Sequence, residues 1–161
     1  CRREDFDCGI DVLNLYLRRY ARQNHERNIA RSFVAVDGGN RVVGYYSLAS
    51  ASIEFDSLPR EQFRRVPRYP IPAARIARLA VDRSMQGKGL GAKLLVDGLK
   101  RVLSAARDLG IKVVVVDAKD DVAVGFYRHF EFIPLENQPL TLFLPIETVM
   151  QAVEGLSPGA A

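Results

Sequence analysis

The sequence predicts an α/β fold, more narrowly an α+β arrangement in which one central mixed sheet is flanked by helices. Three observations lead there. Alternating apolar residues on both sides of Asp37-Gly-Gly-Asn40 mark an antiparallel hairpin. An apolar strand, a glycine-rich loop, a long amphipathic helix and the valine run before Asp117 follow in that order, the pattern of a right-handed parallel crossover. Two short strand patterns come after it, so the parallel pair acquires antiparallel neighbours.

Each element has its own signal. From Ile10 to Tyr20 apolar residues recur at helical intervals (Ile10, Leu13, Leu17, Tyr20), with Val12, Leu15 and Tyr16 widening the stripe. Ser32 to Val36 alternates as a strand, and Arg41 to Phe55 forms a long second one rich in β-branched and aromatic residues. Pro59, Pro67, Pro70 and Pro72 break Ser57 to Ala73 into a short helix and an irregular loop, and a connection of that length usually has a task of its own. The third strand, about Ala74 to Asp82, feeds the glycine loop. Leu94, Leu95, Leu99, Val102, Leu103 and Ala106 then mark the packing face of a helix from Leu90 to Leu109, which Gly110 ends.

Lys112 to Asp117 reads as a central strand buried on both faces. Asp120 or Asp121 caps a short helix reaching Phe130, strands follow near Phe132 to Leu135 and Leu140 to Pro145, and Glu147 to Val153 forms one more helix. Ser157-Pro-Gly-Ala-Ala161 reads as a frayed tail.

With 161 residues and 48% hydrophobic composition, the chain suits one domain over 1–155 with a flexible tail at 156–161. Such a chain buries about 68–70% of the surface its unfolded form exposes. Cys1 and Cys8 are the only cysteines and no histidine cluster accompanies them, so neither a disulfide framework nor a metal site is expected. No apolar run approaches the roughly 20 residues of a membrane span, and the charged stretch Arg2 to Asp7 lacks a signal-peptide core. A cytoplasmic protein without a membrane partner is expected. The chain begins at Cys1 rather than methionine, which leaves room for a preceding segment.

Formal charge is +4 and the isoelectric point about 9.3, and the distribution matters more than the total. Arg60, Arg64, Arg65, Arg68, Arg75 and Arg78 crowd one segment opposed by Glu61 alone, while Arg18, Arg19, Arg22, Arg27 and Arg31 populate the first helix and its exit. A solvated face accounts for such clusters as readily as a nucleic-acid surface does. Guanidinium forks nevertheless pair bidentately with phosphate, and Tyr69 lies where it could stack on a base.

The stretch Arg78-Leu-Ala-Val-Asp-Arg-Ser-Met-Gln-Gly-Lys-Gly-Leu-Gly-Ala-Lys93 carries most of the chemistry. Its alternate glycines let backbone N–H groups face a ligand, and the following helix points its unpaired amides and positive dipole end at the same place. A pyrophosphate suits that cradle. Gly87, Gly89 and Ala92 also satisfy a dinucleotide fingerprint, with Asp117 as a ribose-binding acid. Against it, five residues separate Val81 from Gly87, the motif starts past mid-chain, and few residues remain after Asp117. No Walker sequence occurs.

The spacing Gln86-x-x-Gly89-x-Gly91 resembles the [Arg/Gln]-x-x-Gly-x-[Gly/Ala] signature of GNAT-family N-acetyltransferases. With the order of elements, the likeness covers most of the chain and implies the GNAT acyl-CoA N-acyltransferase fold, whose central parallel strands splay to admit the pantetheine arm of acetyl-CoA. The resemblance assigns cofactor contacts to Leu79, Ala80 and Val81 on the strand, to Gln86, Gly87, Lys88, Gly89, Leu90, Gly91 and Ala92 on the loop, and to Phe126. No metal is implied.

Val122-Ala-Val-Gly-Phe-Tyr127-Arg-His-Phe-Glu-Phe132 resembles the family block Ala-x-x-Phe-Tyr-x-x-x-Gly-Phe, whose tyrosine is assigned as general acid to the departing thiolate. A phenol of pKa near 10 held at that sulfur can donate a proton as charge develops, so the resemblance makes Tyr127 the catalytic residue. Glu131 departs from the block, where glycine is usual, and a different turn is expected after the helix. No residue stands out as general base: Glu54 reads as a strand-end carboxylate, His129 as a solvent-facing side chain and His25 as a helix-terminal cation.

Phe6-Asp-Cys-Gly9 with Leu13, Leu17 and Ala21 resembles the opening of the tRNA-acetylating, TacT-like toxins, a GNAT subgroup found in type II toxin–antitoxin modules. That resemblance implies acetyl transfer from acetyl-CoA to the α-amino group of aminoacyl-tRNA, which blocks translation. It also implies a homodimer and a cognate ribbon-helix-helix antitoxin, and the arginine cluster from Arg60 to Arg78, read from charge, is the expected tRNA surface. Two alternatives stay open on the residues alone: a GNAT enzyme of a small amine or protein N-terminus, and a nucleic-acid-binding module with a vestigial cofactor pocket.

Overall fold

The computed structural model describes residues 1–54 and 70–156. A six-stranded mixed sheet runs through them in the order β1-β2-β3-β4-β6-β5, built from β1 (Arg31–Val36), β2 (Val42–Ile53), β3 (Ile71–Val81), β4 (Val113–Asp117), β5 (Ile133–Leu135) and β6 (Gln138–Pro145). Helices α1 (Asp11–Leu15) and α2 (Ala21–Glu26) precede it, joined by a π-helical stretch at Tyr16–Tyr20. Helix α3 (Leu90–Leu109) links β3 to β4, α4 (Asp121–His129) links β4 to β5, and α5 (Ile146–Leu156) follows β6. The expected short helix within Ser57 to Ala73, the end of the second strand at Phe55 and the tail from Ser157 lie wholly or largely outside the described residues.

By Cα proximity the chain divides into two compact units. The first takes residues 1–49 and 76–98. Here β1 and β2 pair antiparallel from Arg31 with Leu48 to Val36 with Val42. The Asp37 carboxylate organises the hairpin turn by accepting from the amides of Gly39 (2.9 Å) and Arg41 (3.0 Å), while Asn40 takes the left-handed conformation at φ 60° that the tight return demands. The core joins Phe6, Cys8, Tyr16, Leu17, Ala21, Val42, Tyr45 and Ala80. Tyr45 anchors it, stacked on Tyr16 and edge-on to Phe6, with its hydroxyl donating 2.7 Å to the Leu13 carbonyl.

The second unit takes residues 50–75 and 99–161. Its core gathers Ile53, Ile71, Ala73, Val113, Val115, Leu135 and Phe143. All four valines of β4 are buried, as a strand covered on both faces requires. Strand β6 pairs antiparallel with β4 on one side and with β5 on the other.

The first helix reaches further than the apolar stripe predicts. Winding continues from Asp11 to Glu26, with a wider turn at Tyr16–Tyr20 that brings Tyr16, Leu17 and Ala21 to the core together. Strand β3 starts at Ile71, not Ala74, because Pro72 occupies an exposed strand position and leaves the ladder intact; its carbonyl accepts from the Lys112 amide at 3.0 Å. Among the described residues no helix is long and apolar enough to cross a membrane.

Candidate active site

The glycine loop is built on the end of β3. Asp82 follows the strand and caps a 3-10 turn at Arg83–Met85, accepting from the Ser84 amide (3.0 Å) and the Ser84 hydroxyl (2.6 Å). Gly87 and Gly89 then adopt φ 76° and 84°, conformations that a side chain disfavours. A Cβ built on either would meet no atom within 4 Å, so backbone conformation rather than crowding selects glycine, and the loop's outer face is open. Lys93 is the residue whose amide bonds back to Gly89 (3.2 Å) as α3 begins, and the preceding amides lie in the first turn, where a helix supplies no acceptor. Open space, left-handed glycines and a 20-residue helix behind them fit a diphosphate.

The strand beside the loop departs from plain alternation. Ile76 lies 3.5 Å from a Cβ placed on Gly98 of α3, whereas Arg78 stacks over the Tyr16 ring at 3.6 Å and Ala80 belongs to the Tyr45 core. Residues 76, 78 and 80 would share one face of a regular strand. Ile76 and Ala80 therefore pack on different neighbours despite their even spacing. Leu79 and Val81 remain half-buried, while the side chain of Ala80 is committed to the core, leaving its backbone as the part able to meet a cofactor.

Gln86 is placed differently from a side-chain phosphate contact. Its amide nitrogen donates to the carbonyls of Cys8 (3.0 Å) and Val81 (2.9 Å), closing the loop onto its strand and onto the N-terminal segment. Gly91 and Ala92 lie in the first turn of α3, and Lys88 is exposed on the loop. Close behind, Gly44 of β2 leaves room for the helix: a Cβ there would come within 2.9 Å of Leu94 Cδ1 and 3.2 Å of Leu90 Cδ2.

Tyr127 sits in α4, whose N-cap Asp120 accepts from the Ala123 amide at 2.9 Å. Its ring is buried, edge-on to Phe126 (5.2 Å) and Phe132 (5.7 Å). Phe126 is half-buried and also meets Phe130. Burial, aided by the Asp117 carboxylate, pushes the Tyr127 phenol well above its ordinary pKa, so the group stays protonated at neutral pH. Among the described residues its hydroxyl has no protein hydrogen-bond partner, which leaves the proton available to a ligand.

The turn after α4 does not differ as expected. Glu131 takes φ 71°, the conformation a glycine would supply, and the helix ends in a Schellman cap with Phe132 N–H on the Tyr127 carbonyl (3.2 Å) and Glu131 N–H on that of Arg128 (2.9 Å).

Of the six arginines expected to face tRNA, Arg60, Arg64, Arg65 and Arg68 lie outside the described residues. Arg75 pairs with Asp117, which also accepts from Thr141, and Arg78 is held over Tyr16. Both are half-buried. Glu54 and His129 are exposed, and His25 Nδ1 accepts from the Ser32 amide at 3.3 Å. Both cysteines are free, and no metal-binding cluster occurs among the described residues. Sequence reasoning missed the contribution of Asp7, Arg41 and Asp82 around the loop; the signal available was the recurrence of an aspartate in both Phe6-Asp-Cys-Gly9 and Val81-Asp82.

Comparison with known proteins agrees with this geometry. The family model described as Acetyltransferase (GNAT) family matches residues 3–132. A tRNA-acetylating toxin from Mycobacterium tuberculosis is 42% identical over 139 residues, covering 86% of this chain and 82% of the relative. The solved structure of AtaT complexed with acetyl-methionyl-tRNAfMet superimposes with a TM-score of 0.87 at 33% identity, covering 92% of this chain and 90% of the other. A tyrosine-to-phenylalanine mutant of AtaT bound to the C-terminus of the antitoxin AtaR and acetyl-CoA gives 0.80 at 31% identity, covering 93% and 89%. By a glycine loop opening α3, a tyrosine in α4 and a family match over most of its length, the chain belongs to the GNAT acetyltransferase family.

Proposed function

We propose that the chain is a toxin-type N-acetyltransferase that moves acetyl from acetyl-CoA to the α-amino group of aminoacyl-tRNA and thereby blocks translation. The observation that carries the reading is the glycine loop, with left-handed Gly87 and Gly89 at the head of α3 and an open outer face. Amides of this loop hold the diphosphate, and the end of β3 near Leu79 to Val81 offers backbone groups to the pantetheine arm. The amine attacks the thioester carbonyl, the C–S bond breaks, and Tyr127 gives its phenolic proton to the departing sulfur. The proton lost by the new amide nitrogen restores the phenol through water, so the net products are the acetamide and free CoA thiol.

An α-amino group of pKa near 8 is partly unprotonated at neutral pH and needs no strong base, unlike a lysine amine near 10.4. That matches a site whose clearest candidate is an acid. The identity of 42% to a tRNA-acetylating toxin and the likeness to AtaT in complex with acetyl-methionyl-tRNAfMet support charged tRNA as the acceptor. The arginines at 60, 64, 65 and 68, with Arg75 and Arg78, form the basic approach to it in this reading, and a cytoplasmic homodimer held in check by a ribbon-helix-helix antitoxin completes it.

The test is CoA release with purified charged tRNA, uncharged tRNA and spermidine as acceptors. Turnover with charged tRNA alone is expected; turnover confined to spermidine would assign the enzyme to small amines. Replacing Arg64 and Arg65 with alanine is expected to weaken tRNA use and flatten its salt dependence, since every phosphate left without its arginine lowers the slope by about one.

A further inference from the structure

The N-terminal turn Phe6-Asp-Cys-Gly9 and the glycine loop are tied by a set of bonds larger than either needs to fold locally. Asp82 Oδ1 accepts from the Asp7 amide at 2.9 Å, and the Arg83 amide donates to the Asp7 carbonyl at 2.9 Å, a reciprocal exchange between segments 75 residues apart in sequence. The Asp7 carboxylate in turn accepts from Gly9 N–H (2.9 Å) and Asn14 Nδ2 (3.0 Å) and lies 3.5 Å from the Arg83 guanidinium. Arg41 reaches Asp82 at 3.3 Å from the other side, and Gln86 adds its bond to the Cys8 carbonyl. Two carboxylates are thus the acceptors on which the base of the loop hangs.

Burial raises the pKa of Asp82, but the bonds from Ser84 and Asp7 and the charge of Arg41 outweigh it and hold the carboxyl below its usual range. The bonds to Gly9 and Asn14 do the same for Asp7. Both groups are therefore used as anions. None of these side chains is needed to touch a diphosphate, and their bonds end on the residues immediately before Gly87.

We propose that Asp7 and Asp82 act as one positioning latch, fixing the amides of Gly87 to Ala92 in the conformation that receives the diphosphate. This rests on the reading of the loop as the acetyl-CoA cradle. An amide cradle depends on several donors converging at once, so a small drift of its base weakens binding far more than it weakens the fold. Loss of either carboxylate charge should lower cofactor affinity without changing chemistry at saturation.

The experiment measures CoA binding calorimetrically on the full chain, with acetyl-CoA kinetics and amide hydrogen exchange of residues 82–86, whose amides are bonded at the base of the loop, for the wild type, Asp7→Asn, Asp82→Asn and the double variant. Each single variant is expected to raise the CoA Kd and the acetyl-CoA KM about tenfold, with kcat within about twofold. The double variant should be no worse than the poorer single one, because the two groups serve one tie. Faster exchange in the free loop should accompany the loss. Unchanged Kd and exchange in the folded variants would overturn the latch alone. A wild type that binds no CoA would overturn the loop reading beneath it. Should Asp82→Asn fail to fold, Asp7→Asn at the half-exposed carboxylate decides the matter by itself.

Discussion

Replacing Glu131 with glycine should stabilise the protein. At φ 71° an L side chain crowds the following carbonyl, at a cost of about 1–2 kcal/mol that glycine does not incur. Glycine gives back about 0.4–1 kcal/mol through the greater freedom of the unfolded chain. Glu131 is exposed, and among the described residues its side chain makes no ion pair or hydrogen bond that the replacement would remove. The balance is a gain of about 0.5–1 kcal/mol, or roughly 2–3 °C in Tm for a domain of this size. Thermal and urea unfolding of Glu131→Gly, Glu131→Asn and Glu131→Val check it, with stability expected to fall in the order Gly, Asn, Glu, Val. A glycine variant no more stable than the wild type would refute the reasoning. The cap also bonds the Tyr127 carbonyl, so kcat should survive Glu131→Gly, whereas Glu131→Val is expected to lower it.

Tyr127→Phe removes the proton donor and leaves the groups that hold the cofactor in place, so kcat should drop about a hundredfold or more while the CoA Kd stays within twofold. In the wild type the raised phenol pKa places the alkaline fall of kcat above pH 10, and a fall centred below that value would detach the profile from Tyr127. Gly89→Ala forces a side chain to φ 84° and projects it into the open face of the loop, so CoA affinity should fall at least tenfold with circular dichroism unchanged. Asp7 and Asp82 have folded pKa values below the unfolded value near 3.9, so their contribution to stability is complete above that pH and fades as pH falls through the folded values. Urea midpoints from pH 6 to 3 should fall for the wild type and fall less steeply for Asp82→Asn.

Strong local periodicity made most of the fold legible: the turn residues Asp37 to Asn40, the valines of β4 and the bounds of α3 follow from spacing and chemistry that act within a few residues. The glycine loop was legible for the same reason, because left-handed positions announce themselves as glycine. Glu131 was not legible in this way, because the cap's demand for a positive φ overrode the residue present. What could not be read were long-range ties. Nothing local to Gln86 says that its amide ends on Cys8, and nothing local to Arg78 says that it lies over Tyr16. An arginine in a basic run looks unpartnered until the aromatic ring beneath it is seen.

The wide turn at Tyr16–Tyr20 has a consequence for how the N-terminal region tolerates change in length. A π turn holds one residue more than ordinary winding needs, so it stores slack. Excision of one residue there can be absorbed by reverting to a 3.6-residue turn, with Leu13 upstream and Ala21 downstream keeping their seats. The same excision in the middle of α3 has no such reserve and would rotate every later side chain by about 100°. Variation in length among proteins of this architecture should therefore collect at that turn and spare the long helix.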